Sequence, residues 1–234
     1  MFMFTCLLLL LPVPNVLASW RTRTTLVNIN EYFHKLVQET VYDLEEYGWC
    51  NLGIPDYTQN LNFNLYKWHV EGTATYSNGF LVSTQLIETS SVASSILDRT
   101  VDNVTTTTAS VQGIMHFREP RVGFDVIANF TDEGVRRFSG IYRYVSIDMQ
   151  LSAAKNLNTG EITTEAFIHS LSTTRLDKIA FLPRSNISEA VSREFVPSDS
   201  WNGVSSWATT VIQPMIQKIA TTRLPFPDLC FNCI

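Results

Sequence analysis

Charge is scarce in this chain. Asp, Glu, Lys and Arg make up 17% of its 234 residues, with 17 basic side chains against 22 acidic ones, a formal net charge of −5. No basic stripe exists to neutralise phosphates, which argues against nucleic acid as a partner. The clusters of Lys and Arg that hold a protein on an anionic membrane are missing too. Long apolar runs are confined to the first eighteen residues, so no integral membrane span is expected. Catalytic signatures are absent: no Gly-x-Ser-x-Gly elbow, no His-Glu-x-x-His helix, no Gly-rich phosphate loop and no Gly-x-Gly-x-x-Gly fingerprint. The four histidines, His34, His69, His116 and His169, are scattered. The reading is of a protein that is not an enzyme, with no catalytic residue, no metal and no cofactor.

Cysteine is also sparse, with four in the chain. Cys230-Phe-Asn-Cys233 supplies only two ligands of a tetrahedral zinc site, and neither a His pair nor a second Cys-x-x-Cys completes it. Residues 1–18 read as a secretory signal: Phe2 to Leu17 is uncharged and contains the run Leu7–Leu11. Val16-Leu17-Ala18 offers small residues at a cleavage site, although a basic n-region is missing. Residues 19–234 then form one domain in an extracellular, oxidising setting, where the odd count of Cys50, Cys230 and Cys233 predicts one bridge. Cys50 joined to one of the terminal pair would close a long loop, worth roughly 4–5 kcal/mol in the chain-entropy model; a bridge within Cys230–Cys233 is the competitor. Three sequons, at Asn103, Asn129 and Asn186, predict exposed glycosylation sites.

What the chain does contain falls into three parts. Asn28 to about Tyr47 predicts an amphipathic helix, with Ile29, Tyr32, Phe33, Leu36, Val37, Thr40, Val41 and Leu44 at helical spacing. Asn28 and Glu31 stand as a capping box, Asp43 lies toward water and Gly48 ends the helix. From Leu61 to Phe181 the pattern is of strands. A phase change at Leu65-Tyr66 predicts a bulge or bend, and Asn78-Gly79 a two-residue hairpin. Ile87 to Val104, rich in Ser and Thr, reads as a long loop or an irregular strand pair. Glu119-Pro120 turns the chain. Val111, Gly113, Met115 and Phe117 share a face, as do Val122, Phe124, Val126, Ala128 and Phe130, and then Ile141, Val145, Ile147, Met149 and Leu151. The sheet is antiparallel and one-sided. The last part is helical: a short helix capped at Ser185 or Asn186, then a second beginning near Ser200 and kinked at Pro214. One helix, many strands and more helix make an α+β fold in which a sheet curls around greasy helices.

With those elements placed, the chain resembles the mite group 7 allergen family, within the superfamily of bactericidal permeability-increasing, lipopolysaccharide-binding, juvenile-hormone-binding and takeout proteins. The likeness rests on Asn30-Glu31-Tyr32-Phe33 opening the first helix, on Gly53-Ile54-Pro55-Asp56 and on Val70-Glu71-Gly72. Near the end, Val211-Ile212-Gln213-Pro214-Met215-Ile216-Gln217-Lys218 matches a final Pro-containing helix. The paired N-terminal cysteines of takeout proteins and hormone carriers are absent. The resemblance implies a half super-roll, a curved antiparallel sheet wrapped around a long helix and flanked by C-terminal helices. It also implies a secreted carrier of an apolar, lipid-like ligand. Candidate lining residues are Phe33, Val37 and Val41 on the first helix, Phe124 and Val126 on a strand, and Trp207, Val211 and Met215 on the last helix. The same side chains suit a filled core. The second functional reading is an extracellular protein-interaction or immune recognition module, since five Trp residues are many for this length.

Overall fold

The computed structural model describes residues 24–65, 68–174 and 178–231. The proposed leader with its Cys6, and Cys233, lie outside them. In chain order come β1 (Thr24–Leu26), α1 (Ile29–Tyr47), a 3-10 turn (Trp49–Asn51), β2 (Gly53–Ile54), β3 (Tyr57–Leu65), β4 (Trp68–Ser83), β5 (Leu86–Val101), β6 (Val104–Arg118), β7 (Arg121–Phe130), β8 (Gly134–Arg143), β9 (Ser146–Asn156), β10 (Ile162–Ser172) and β11 (Ala180–Leu182). Then follow α2 (Asn186–Glu194), a 3-10 turn (Pro197–Ser200), α3 (Trp201–Trp207), a π-helical turn (Ala208–Ile212), α4 (Gln213–Thr222) and β12 (Leu229–Phe231).

The strands pair antiparallel in two main groups, β10-β9-β6-β5 and β11-β8-β7-β4, with β2 and β3 sharing the free edge of β4. Successive strands cross from one group to the other along a line of short breaks. Thr84-Gln85 links β4 to β5, Glu119-Pro120 links β6 to β7, and Tyr144-Val145 links β8 to β9. Backbone bonds knit the breaks together: Glu119 N–H donates to Val145 O at 3.0 Å, Tyr144 N–H to Pro120 O at 2.9 Å and Gln85 N–H to Arg118 O at 2.9 Å. Glu119 has φ 46°, and Pro120 has no amide to extend a ladder. The result is one bent antiparallel layer, an α+β fold of the curved-sheet kind.

Helix α1 lies in the first bend, against β5, β6 and α4. Its stripe buries Tyr32, Phe33, Leu36, Val37 and Leu44, at about 1.5–3 kcal/mol each before entropy is subtracted. Gly48, at φ 88°, stops the helix, and its N–H donates to Leu44 O at 3.0 Å. The expected capping box does not form: Asn28 sits at φ 56° with no side-chain cap bond, and Glu31 instead accepts from Lys35 Nζ at 2.7 Å, one turn on. In that left-handed conformation the Asn28 carboxamide makes no bond to the first turn. Asp43 is buried rather than wet, because Arg223 at the end of α4 reaches it at 2.7 Å.

Helix α2 carries a capping box between Ser185 and Ser188. Pro214 is absorbed by the preceding π turn, where Gln213 N–H donates back to Ala208 O across five residues. The extra residue in that turn widens the ladder where Pro214 has no amide to give. Strand β12 pairs with β1, setting Cys230 opposite Thr25 at the N-terminal end of α1. Cys50 follows the other end of the helix, about 28 Å away for 19 residues of α-helix, far beyond disulfide reach. Cys50 is accordingly exposed and free, so of the two bridges the sequence left open, the one from Cys50 to the C-terminus is not formed.

Three strand expectations also change. Asn78-Gly79 does not make a hairpin: β4 runs through it as a bulge, with Ser77 opposite Asp125 and Phe80 opposite Gly123. Asn78 takes φ 51° there. A methyl at Gly79 would meet Phe124 Cε1 at 2.7 Å and Ile54 Cβ at 2.8 Å, so packing demands the glycine. Leu65 pairs with Trp68, so β3 and β4 are antiparallel neighbours where a bulge or bend was expected; Tyr66 itself lies outside the described residues. Of the two readings of the Ser/Thr-rich stretch the second holds: it forms the strand pair β5–β6, with a register break between Ser90 and Ala93, closed at Asp102-Asn103 with φ 49° and 62°, the mirror-image turn that suits strand twist. Finally, Ile141 and Val145 are exposed while Tyr142 and Tyr144 are buried, because the break at Tyr144-Val145 resets the alternation.

Candidate functional site

The bend leaves α1 standing off the edge strand β5. Between them runs an open groove of about 400 Å³, within the size range of small-molecule sites. Val37 and Val41 line it from the helix, Trp49 closes one end, and Leu86 and Ile87 line it from the strand. Leu86 is 53% exposed, an apolar side chain facing water at the mouth. Trp49 is fixed edge-on against Phe117, with ring centroids 6.4 Å apart. His34 and Thr89 are hydrogen-bonded at 3.1 Å, tying helix to strand on the polar rim. Gln38, Glu45, Thr84 and Gln85 complete that rim. The arrangement offers an apolar floor with polar groups at its margin and no nucleophile aimed into it.

The eight candidate lining residues are not brought together. Val37 and Val41 reach the groove. Phe33 is fully buried beneath α1, its ring over Gly113. Phe124 belongs to an aromatic cluster with Tyr57, Tyr76 and Phe195 under α2. Val126 borders a second groove of about 450 Å³ between the Asn78 bulge and Leu182-Pro183, whose margin is polar. Trp207 is buried and donates its indole N–H to Gly53 O at 2.6 Å. Val211 and Met215 are half-buried against the core on the last helix. Sequence reasoning missed Trp49, Leu86 and Ile87. The phase of Ile87 was hidden by the Ser/Thr-rich stretch it opens, and Trp49 lies past the glycine that ends the helix.

The resolved electrostatic shifts of buried groups fall mainly on tyrosines. Burial pushes the Tyr32 hydroxyl up to about 12. Burial also raises Tyr57, Tyr76 and Tyr144 well above the ordinary phenol value. Asn103, Asn129 and Asn186 are all exposed, at a hairpin tip, on the outer face of β7 and at the start of α2. Among the described residues no helix is long and apolar enough to cross a membrane.

No family model matches the chain, and no curated protein matches it. Among solved structures it is similar to the crystal structure of lipopolysaccharide binding protein, with a TM-score of 0.38 and 10% identity, over 83% of this chain and 38% of that one. This chain thus spans well under half the length of that structure. The narrower likeness to mite group 7 allergens finds no support in these comparisons.

Proposed function

We propose that the protein is a secreted binding protein for an apolar, lipid-like molecule, held in the groove between α1 and β5. The observation that carries this reading is the open floor of Val37, Val41, Trp49, Leu86 and Ile87. Leu86 faces water, Val41, Trp49 and Ile87 are half-buried, and Val37 closes the floor behind them; apolar side chains left partly open in one recess mark a binding groove. An alkyl chain laying about six methylenes there gains roughly 5 kcal/mol, at about 0.8 kcal/mol each. The polar rim suits a headgroup held at the mouth. The low charge of the chain favours recognition by apolar burial rather than by ion pairing. Export, with glycans on the exposed Asn103, Asn129 and Asn186, belongs to the same proposal.

The test is native mass spectrometry of the protein secreted from a eukaryotic host, followed by solvent extraction. A mass excess that extraction removes, with recovery of a fatty acid, terpenoid or phospholipid, supports the carrier. A clean apo mass, together with no uptake of added fatty acid, contradicts it.

A further inference from the structure

On the face of the sheet opposite α1, four strands bring together residues far apart in sequence. His116 lies on β6 between the buried Met115 and Phe117, so its ring points outward. Its Nδ1 is 2.8 Å from Asp148 Oδ1 on β9, and its Nε2 is 2.6 Å from Ser90 Oγ on β5. The other carboxylate oxygen, Asp148 Oδ2, accepts from Ser170 Oγ on β10 at 2.6 Å. The histidine and aspartate side chains are only 13% and 14% exposed. Glu88, opposite His116 in the ladder, is committed to Arg118 at 2.6 Å and does not compete for the ring.

The polarity of this chain of bonds is fixed by its acidic end. Burial pushes the Asp148 carboxyl up, but hydrogen bonds from Ser170 and His116, the attraction of the His116 charge and a further bond from Ser146 outweigh it and hold the carboxyl below the ordinary value. An ionised Asp148 only accepts, so the hydrogen between the two groups is carried by Nδ1; when the ring holds only that one, Nε2 is the acceptor facing Ser90 Oγ. Ser90 is then the donor to Nε2. That order of nucleophile, base and orienting carboxylate is recognised by geometry, whatever the fold. The backbone is also unusual beside Ser90. The ladder slips between Ser90 and Ala93, so that Ser91 and Val92 together face Gly113, and Ser91 takes φ 55°. A non-glycine residue there stores strain, and bulges of this kind re-aim a neighbouring side chain.

We propose that Ser90, His116 and Asp148 form a nucleophilic site that cleaves small carboxylic esters on the outer face of the sheet, a function separate from ligand binding in the groove. The step balances without a cofactor. Ser90 Oγ bonds to the ester carbonyl carbon as its proton passes to His116 Nε2. The carbon–alkoxide bond then breaks, and the same proton leaves with the alcohol. Water repeats the sequence, releasing the acid and restoring Ser90. Neither groove described above is lined by Ser90, His116 or Asp148, so the proposal is confined to small esters.

The full chain is treated with diisopropyl fluorophosphate, and adducts are mapped by peptide mass spectrometry; turnover of 4-nitrophenyl acetate is followed in parallel. The expected result is an adduct on Ser90 and a burst of 4-nitrophenolate from 4-nitrophenyl acetate, both lost in Ser90→Ala. His116→Gln slows labelling by about 100-fold or more, as removal of a general base does. Thermal melts of both variants establish that they are folded. Absence of any adduct at Ser90 in the folded wild type, or labelling of His116→Gln at the wild-type rate, overturns the proposal and leaves the network as a cross-strand tie.

Discussion

A methyl group added at Gly113 would stand 2.6 Å from Cε1 and 2.7 Å from Cζ of Phe33, with Cδ1 at 3.0 Å. Phe33 is fully buried, so its ring has no free volume to enter, and α1 must lift or β6 must shift. Overpacking of this kind costs about 1–3 kcal/mol. Replacing glycine by alanine within a strand otherwise gains roughly 0.5–1 kcal/mol from the unfolded chain's lost freedom. Gly113→Ala is therefore expected to lose about 1–2 kcal/mol net. Urea denaturation followed by circular dichroism reads this as a lower midpoint with an unchanged slope. The double variant Gly113→Ala with Phe33→Leu isolates the contact: the smaller side chain makes room, so the two substitutions together cost less than their sum by about 1 kcal/mol. A neutral or stabilising Gly113→Ala, or strict additivity in the double variant, refutes the seating of α1 on β6 through this ring.

Two further outcomes follow from buried polar groups. Arg223→Met removes the partner of Asp43 and lowers the urea midpoint, while adding Asp43→Asn recovers part of the loss; equal midpoints for wild type and Arg223→Met contradict that pairing. Tyr32, Tyr57, Tyr76 and Tyr144 have folded values raised by burial above the unfolded value near 10. Their contribution to stability is complete below pH 10 and is lost as pH rises toward and past the folded values. In an alkaline titration their tyrosinate absorbance appears together with unfolding; ionisation of all eight tyrosines near pH 10 in a folded protein argues against it.

Much of this architecture is legible in the residues. The stripe Tyr32, Phe33, Leu36, Val37 and Leu44 locates α1 because one face is buried along its length. The clean alternation from Val122 to Phe130 locates β7, because α2 and the aromatic cluster cover one side only. Legibility fails where burial no longer alternates. The outer half of the β5–β6 hairpin extends past the helices, so Thr100–Thr105 and Ser95–Ser110 pair through hydroxyls and no apolar face announces the strands. Asn78-Gly79 has the composition of a tight turn, and only the Phe124 ring above it makes it a bulge. Asp43 looks wet until Arg223, 180 residues on, is folded beside it. The groove lies between α1 and β5, two elements that no local sequence pattern couples. The Ser90, His116 and Asp148 group has no local signature, because its members come from three strands whose register sets their contact.

Whether the groove between α1 and β5 binds an alkyl chain is read by displacement of a fluorescent fatty-acid analogue from wild type and from Val41→Arg. Val41 is half-buried on the helix wall of the groove, so a longer charged side chain fills the recess without opening the core. Saturable binding to the wild type, weakened tenfold or more in Val41→Arg, or about 1.4 kcal/mol, is the expected result. No saturable binding to the wild type, or equal affinity in the two proteins, contradicts the assignment of the ligand site to this groove.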